Sequence, residues 1–402
     1  MKFEEFQKKT GFGRDEIAAF SEGRLLEDAP PGLPRLPGWL LIPFHEITRL
    51  EWSEASGTGV IEAVRDNRLD DWFYGCHFLG DPVMPGCWGV DAVWQCLKFF
   101  AAWRGLAGCG KTLGMENVSF FGQIRPHDKR VVYRVEITAL ERSGEDVLLT
   151  GKASVEVDGT PVYTIGSAQI GTAFWEAPAA RVDKDMSKDA SAPSDAPMTR
   201  RLTYAEFKSR ARFSRAEIVA LSRGTLVSDP PGEIALLPSD LMLEVGRIER
   251  IAGSISSGEG EVEASRENRS SDWFYAMTPG VKPTALSIAA VWQLIGLFQA
   301  WGGSAGTGRA LGLERVEVFD EIRPDDRDVR CSVRVVKTVR SGETGDVFVR
   351  ADATVYADGR PIISVANANV GCHKDIRYSD YPLASEMGFG GKLKTRQAGG
   401  ER

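Results

Sequence analysis

The chain of 402 residues contains 43% hydrophobic and 26% charged residues and carries a formal net charge of −7. Its length allows two or three ordinary domains, and its composition is typical of a globular protein. The negative charge argues against a protein that binds nucleic acid through bulk charge, so we expect no nucleic acid partner.

The first residues are acidic and lack the apolar run of a signal peptide. None of the six cysteines forms a Cys-x-x-Cys pair, which favours reduced thiols and a cytoplasmic location over a disulfide framework. The stretch most like a membrane span, residues 87–106, is interrupted by Asp91, Gln95, Lys98 and Arg104. We therefore predict a buried helix there and no membrane span.

The sequence contains one unit twice. Four segments recur at matching positions: residues 12–17 and 71–74 return 201 residues later, and residues 93–95 and 124–126 return 198 residues later. The second copy has therefore lost three residues between its DWFY segment and its VWQ segment. Because self-similarity at a fixed spacing indicates repeated structural units, we predict four regions: a first domain at 1–175, a flexible linker at 176–200, a second domain at 201–372 and a polar tail at 373–402.

The predicted elements of each copy follow one order. A short helix opens the copy, and in the second copy Ser214 and Glu217 form a capping box. A long apolar helix comes next, from about residue 86 to 104, with apolar residues on nearly every face. Alternating strand-like runs and an Asp158-Gly159 hairpin turn complete the copy. One buried helix followed by an antiparallel meander predicts an α+β fold in which the sheet wraps the helix.

The chemistry is predicted in the loop and helix start at residues 75–91, with the sequence GCHFLGDPVMPGCWGVD. Pro85 and Gly86 would begin the long helix, whose free backbone N–H groups can polarise a carbonyl oxygen. His77 precedes that helix start, and Asp91 follows about a turn and a half into the helix. An imidazole, a carboxylate and a helix N-terminus beside an apolar helix suit acid–base chemistry on a carbonyl compound with an apolar tail.

Simpler interpretations compete with this one. His77 could be a satisfied loop histidine and Asp91 a solvated charge, but Asp91 interrupts an apolar helix, where an unpaired carboxylate is costly. Residues 105–112 match the P-loop pattern, yet they follow a helix and precede a strand, so we read them as a helix stop and turn. Cys76 and Cys87 flank the loop and are interpreted as small apolar fillers, because no second base accompanies them.

Residues 77–95 closely resemble the 3-hydroxydecanoyl-ACP dehydratase family. The resemblance continues through residues 112–114, 121–123 and the 158–159 hairpin, and it covers most of residues 20–172. It implies a hot-dog fold, a curved antiparallel sheet around a central helix. The tandem arrangement with a polar tail is similar to the paired dehydratase domains of polyunsaturated fatty acid and polyketide synthases.

The resemblance also implies roles for individual residues. His77 would take the α-proton of a 3-hydroxyacyl thioester, Asp91 would protonate the departing 3-hydroxyl, the Gly86 N–H would polarise the thioester carbonyl, and Gln95 would brace Asp91. The substrate-binding residues implied are Phe78, Val83, Met84, Pro85, Cys87 and Trp94. Members of the family also isomerise the trans-2 product to cis-3. Acyl carrier protein or a CoA thioester is the expected partner, a homodimer and other synthase subunits are further expected partners, and neither a cofactor nor a metal is expected.

The second copy departs from this pattern. His77 corresponds to Thr278 or to a gap, Asp91 to Ala289 and Gly86 to Thr284. In the family each site takes its histidine from one hot-dog domain and its acid from the partner, so pairing of the two copies would place His77 opposite Ala289. Three arrangements remain open: two chains pair through their first copies, His77 and Asp91 of one copy meet, or the chain binds acyl thioesters or scaffolds a synthase without catalysis.

Overall fold

A computed structural model describes residues 1–172, 200–278 and 280–374. The predicted linker falls outside these residues except for Arg200, and the predicted tail except for His373 and Lys374. The domain boundaries proposed from the sequence therefore stay predictions.

Within the described residues, each copy contains two short α-helices, one long α-helix and six strands. The helices are α1 (Phe3–Lys8), α2 (Arg14–Ser21), α3 (Gly86–Trp103), α4 (Tyr204–Ser209), α5 (Arg215–Ser222) and α6 (Thr284–Trp301). The strands of the first copy are β1 (Glu46–Ser53), β2 (Thr58–Asp66), β3 (Lys111–Phe120), β4 (Arg130–Ser143), β5 (Asp146–Val157) and β6 (Thr160–Gly171). Those of the second are β7 (Arg247–Ser254), β8 (Glu259–Glu267), β9 (Thr307–Val318), β10 (Asp328–Arg340), β11 (Val347–Ala357) and β12 (Arg360–His373).

All twelve strands belong to one antiparallel sheet, in the order β1-β2-β4-β5-β6-β3-β9-β12-β11-β10-β8-β7. The order of the second copy is the mirror image of the first, so an approximate twofold relation connects the two. The 158–159 hairpin predicted from the sequence joins β5 to β6, where Val157 pairs with Thr160. The α+β tandem hot-dog fold is confirmed.

The long helices form the centre of each half because they are apolar on nearly every face. Phe99 of α3 shows the packing: its ring lies 5.7, 5.1 and 4.9 Å from the rings of Phe6, Phe12 and Phe20. Helix α6 is long and apolar enough to cross a membrane by length and composition alone, but 83% of it is buried inside the protein. A buried core helix meets the same criteria, so the length and apolar composition of α6 are explained by its position in the core.

The two copies are joined by the β3–β9 pair, in which Gly114 lies opposite Glu317 and Ser119 opposite Gly312. The backbones approach closely there, since a Cβ added to Gly312 would lie within 2.0 Å of the Val118 carbonyl oxygen. Glycine is therefore required at this position. Pairing through the first copies of two chains would need the free edge of β3, and β9 of the same chain occupies it. Within this single chain the two copies therefore pair with each other, and the homodimer expected from the sequence stays a prediction.

Candidate active site

A cavity of about 280 Å³ lies between the two copies. Seven residues of the 75–91 segment predicted to carry the chemistry line it, namely His77, Phe78, Val83, Met84, Pro85, Gly86 and Cys87. Helix α6 forms another wall, through Ala289, Trp292, Gln293 and Gly296. The cavity therefore takes residues from both copies, whereas the site residues predicted from the sequence all belong to the first copy.

The backbone of the loop orients His77. Its N–H donates to the Phe73 carbonyl at 2.9 Å, and its carbonyl accepts from the Val83 N–H at 2.8 Å. The imidazole Nδ1 lies 2.9 Å from the Val83 carbonyl oxygen. Because a carbonyl can only accept, Nδ1 carries the hydrogen and Nε2 is the unprotonated nitrogen. His77 is thus set up as a proton acceptor.

Burial lowers the pKa of His77 to about 4, and the charge of Arg309 acts in the same direction, while the Val83 carbonyl opposes the shift. The imidazole is therefore neutral at pH 7. A neutral base beside an apolar wall suits removal of a proton from carbon.

The low pKa of His77 predicts a loss of stability in mild acid. The unfolded state, with an ordinary histidine pKa near 6.5, binds a proton between about pH 6.5 and pH 4 that the folded state does not bind. The free energy of unfolding should therefore fall as the pH drops through this window, by up to about 1.4 kcal/mol per pH unit from this residue. Urea unfolding at pH 7 and pH 4.5 should show a smaller acid loss in His77→Gln than in the wild type. Equal losses would contradict the assignment.

A buried ion network holds the rest of the loop. Asp81 accepts from Arg125 Nη1 at 2.8 Å and also pairs with Arg309 Nη2 of the second copy. Burial by itself would raise the pKa of Asp81, but Arg309 and Arg125 hold it below its usual value. Arg309 also donates to Gln123 at 2.9 Å and lies 5.7 Å from the centre of the Phe78 ring. The second copy thus fixes the loop that carries His77.

Sequence reasoning missed Arg309. It lies in the counterpart of the rejected P-loop match, where it replaces Lys111, and β9 begins two residues before it. The signal was a basic residue in an apolar, glycine-rich stretch, but only the β3–β9 pairing shows that it reaches the other copy.

Three predicted residues are placed away from this cavity, because α3 directs them elsewhere. Asp91, Trp94 and Gln95 do not line it. The Gln95 amide donates to Asp91 Oδ2 at 2.6 Å, so the predicted brace is present. Burial raises the pKa of Asp91, against the effects of Lys98 and Gln95. Trp94 is fully buried and donates to the Gly114 carbonyl at 3.0 Å. The structure does not bring His77 and Asp91 together at one cavity.

The second copy supplies the counterparts. Thr278 Oγ1 donates to the Val281 carbonyl at 2.5 Å, which repeats the contact of His77 with Val83. Thr278 is therefore the counterpart of His77, and the three-residue deletion follows it. Ala289 faces the His77 cavity, as expected for pairing of the two copies within a chain.

Residues 36–166 and 237–366 both match the model of the FabA-like domain. The chain belongs to the FabA-like family. Similar solved structures include a dehydratase domain of a trans-AT polyketide synthase from Brevibacillus brevis, at 11% identity over 83% of this chain and 98% of that one, with a TM-score of 0.48. The dehydratase domain of the CurJ module of curacin polyketide synthase has 12% identity over 83% and 98%, with a TM-score of 0.45. GphF dehydratase 1 has 16% identity over 81% and 98%, with a TM-score of 0.45.

Family membership confirms the resemblance read from residues 77–95. Both halves of this FabA-like chain match the family model, yet one half has threonine and alanine where the other has His77 and Asp91. The second copy, which supplies α6 to the cavity, therefore keeps the family fold but has neither the histidine nor the aspartate of the first copy.

Proposed function

We propose that this FabA-like chain dehydrates 3-hydroxyacyl thioesters in the cavity beside His77. The observation that carries the proposal is a neutral imidazole, with Nε2 unprotonated, lining an apolar cavity at the N-terminus of α3. Fold and family favour this class of reaction, and the residues of the cavity supply its base.

The N-terminus of α3 supplies the electrophilic assistance. Gly86 is the first residue of the helix, and the first N–H groups of a helix have no partner inside it. A thioester carbonyl at the Gly86 N–H would be polarised as enolate character develops on loss of the α-proton to His77 Nε2. The acyl chain would extend along the apolar wall that includes Met84, Phe120 and Trp292.

Loss of the 3-hydroxyl needs a proton, and this cavity has no carboxyl to give it. No aspartate or glutamate of the described residues lines the cavity. His77, protonated by the α-hydrogen, can return that proton to the departing oxygen and so serve as both base and acid. Positioned acid catalysis contributes roughly 10²–10⁴ in rate, so we expect dehydration at a reduced rate.

Because alanine at position 289 supplies no acid, a second candidate reaction is the shift of a double bond from trans-2 to cis-3. That reaction moves one proton between two carbons and needs no acid for a leaving hydroxide. A single histidine with a polarising N–H is sufficient for it. A non-catalytic acyl-thioester-binding role remains the alternative without chemistry.

The substrate would be carried on acyl carrier protein or CoA, within fatty acid, polyunsaturated fatty acid or polyketide synthesis. All six cysteines are free and buried, which supports a reducing compartment such as the cytoplasm.

His77→Ala should abolish turnover of a 3-hydroxyoctanoyl pantetheine thioester, because it removes the only base proposed for the cavity. Enoyl product is followed by absorbance, and trans-2 and cis-3 products are separated by chromatography. Thr278→Val is the matched control, since it alters the counterpart position in the half without chemistry and should retain wild-type turnover. Unchanged turnover in His77→Ala would contradict the assignment of His77 as the base. If the wild type forms cis-3 product from the trans-2-enoyl thioester but no enoyl product from the 3-hydroxyacyl thioester, the second candidate is favoured.

A further inference from the structure

Gln293 lines the His77 cavity from α6, one turn after Ala289. Its Nε2 donates to the Met242 carbonyl at 2.8 Å, and its Oε1 accepts from the Glu244 N–H at 3.0 Å. The two contacts fix the plane of the amide. The residue is 6% exposed, so its remaining amide hydrogen has little access to bulk water.

The first copy shows where that hydrogen points. Gln95, the counterpart of Gln293, donates one Nε2 hydrogen to the Leu41 carbonyl at 2.8 Å and the other to Asp91 Oδ2 at 2.6 Å. Leu41 corresponds to Met242, and Asp91 corresponds to Ala289. The backbone contact is the same in both copies, whereas the carboxylate exists only in the first.

A primary amide has two N–H donors. By the relation to Gln95, the second N–H of Gln293 is directed at the space above the Ala289 methyl group, which is part of the cavity. Within the described parts of the chain this hydrogen has no acceptor among the hydrogen bonds of Gln293. A buried donor that is left without an acceptor is unfavourable. An oxygen atom of a ligand would satisfy it.

We propose that Gln293 donates a hydrogen bond to the 3-hydroxyl oxygen of the bound acyl thioester and selects 3-hydroxylated over saturated acyl chains. The inference rests on the proposed function, in that the cavity must bind an acyl thioester. The amide cannot supply a proton, so Gln293 binds and orients the leaving oxygen while His77 carries out the proton transfers. It occupies the side of the cavity from which a family member would present its acid.

The test measures binding without turnover. Pantetheine amides of 3-hydroxyoctanoic and octanoic acid replace the thioesters, and their dissociation constants are obtained by calorimetry. Loss of one hydrogen bond changes affinity by up to about tenfold. The wild type should therefore prefer the hydroxylated ligand by that factor, and Gln293→Met should bind both ligands equally.

Gln299→Met is the matched control. Gln299 lies on the same helix, and its amide donates only to the Val347 and Val370 carbonyls, so this variant should keep the preference. A preference retained in Gln293→Met, or no binding of either ligand by the wild type, would overturn the inference. Preferential binding without turnover of the thioester would instead refute the dehydratase assignment and leave the inference standing.

Should Gln293→Met fail to fold, Ala289→Val provides the second test. It covers the amide hydrogen from the cavity side and leaves the contacts of Gln293 with Met242 and Glu244 in place. The preference for the hydroxylated ligand should then disappear, and its persistence in a folded Ala289→Val protein would overturn the inference.

Discussion

Replacing Ala289 with aspartate is expected to raise the rate of dehydration about a hundredfold, the lower end of what positioned acid catalysis contributes. The new carboxyl would lie across the cavity from His77, and Gln293 could hold it as Gln95 holds Asp91 at 2.6 Å. Burial raises the pKa of Asp91. The same effect at position 289 would favour the protonated form that the leaving hydroxide requires.

Two controls make the Ala289→Asp result specific. Ala289→Asn has nearly the same shape but no acidic proton, so it should give no gain. Combining Ala289→Asp with His77→Ala should remove the gain, because the acid acts only after the base. Turnover of the 3-hydroxyoctanoyl thioester is measured in all three proteins. A folded Ala289→Asp protein with wild-type turnover would show that position 289 does not face the reacting carbon.

Asp81→Asn is expected to lower the free energy of unfolding by about 3–5 kcal/mol, the cost of breaking a buried ion network on one side. The Asp81, Arg125 and Arg309 side chains are 3%, 5% and 8% exposed. Asparagine keeps the shape but removes the negative charge that the two buried guanidinium groups of Arg125 and Arg309 share. The effect should appear in urea unfolding and should include loss of turnover, because the same loop carries His77.

Asp70→Asn is the matched control for Asp81→Asn. Its ion pair with Arg68 is exposed, with 50% and 62% of the two side chains accessible, and exposed pairs contribute only about 0–1 kcal/mol. Unfolding of Asp70→Asn should therefore resemble that of the wild type. Equal, small losses in both variants would mean that the link between the two copies does not depend on the Asp81 carboxylate.

Much of the fold follows from local patterns. The apolar run predicted as a helix from about residue 86 to 104 is observed as α3 at Gly86–Trp103, because a segment that is apolar on nearly every face but contains charged residues favours a buried core helix. The Asp158-Gly159 turn joins two alternating strands, as its hairpin chemistry requires. The sequence also predicted the loop from His77 to Gly86, because its proline and glycine residues restrict the backbone locally.

The sequence identified Ala289 as the counterpart of Asp91 but could not decide whether it faces His77. Ala289 and Gln293 have no chemical signature of their own, and only the pairing of β3 with β9 brings α6 to the cavity. Arg309 likewise crosses to Asp81 over a separation of 228 residues. Such contacts depend on which sheet edges meet, which a pattern within one segment cannot specify.

The amino-acid sequence by itself determined the duplication, the family, and the residues of the loop that ends at Gly86, because these depend on short-range order and on residue identity. The tertiary structure decided which residues face His77. The two halves pair edge to edge within one chain, and α3 contributes Gly86 and Cys87 to the His77 cavity but directs Asp91 away from it. His77 therefore shares its cavity with Ala289 and Gln293 of the second copy, which has threonine and alanine at the positions of His77 and Asp91.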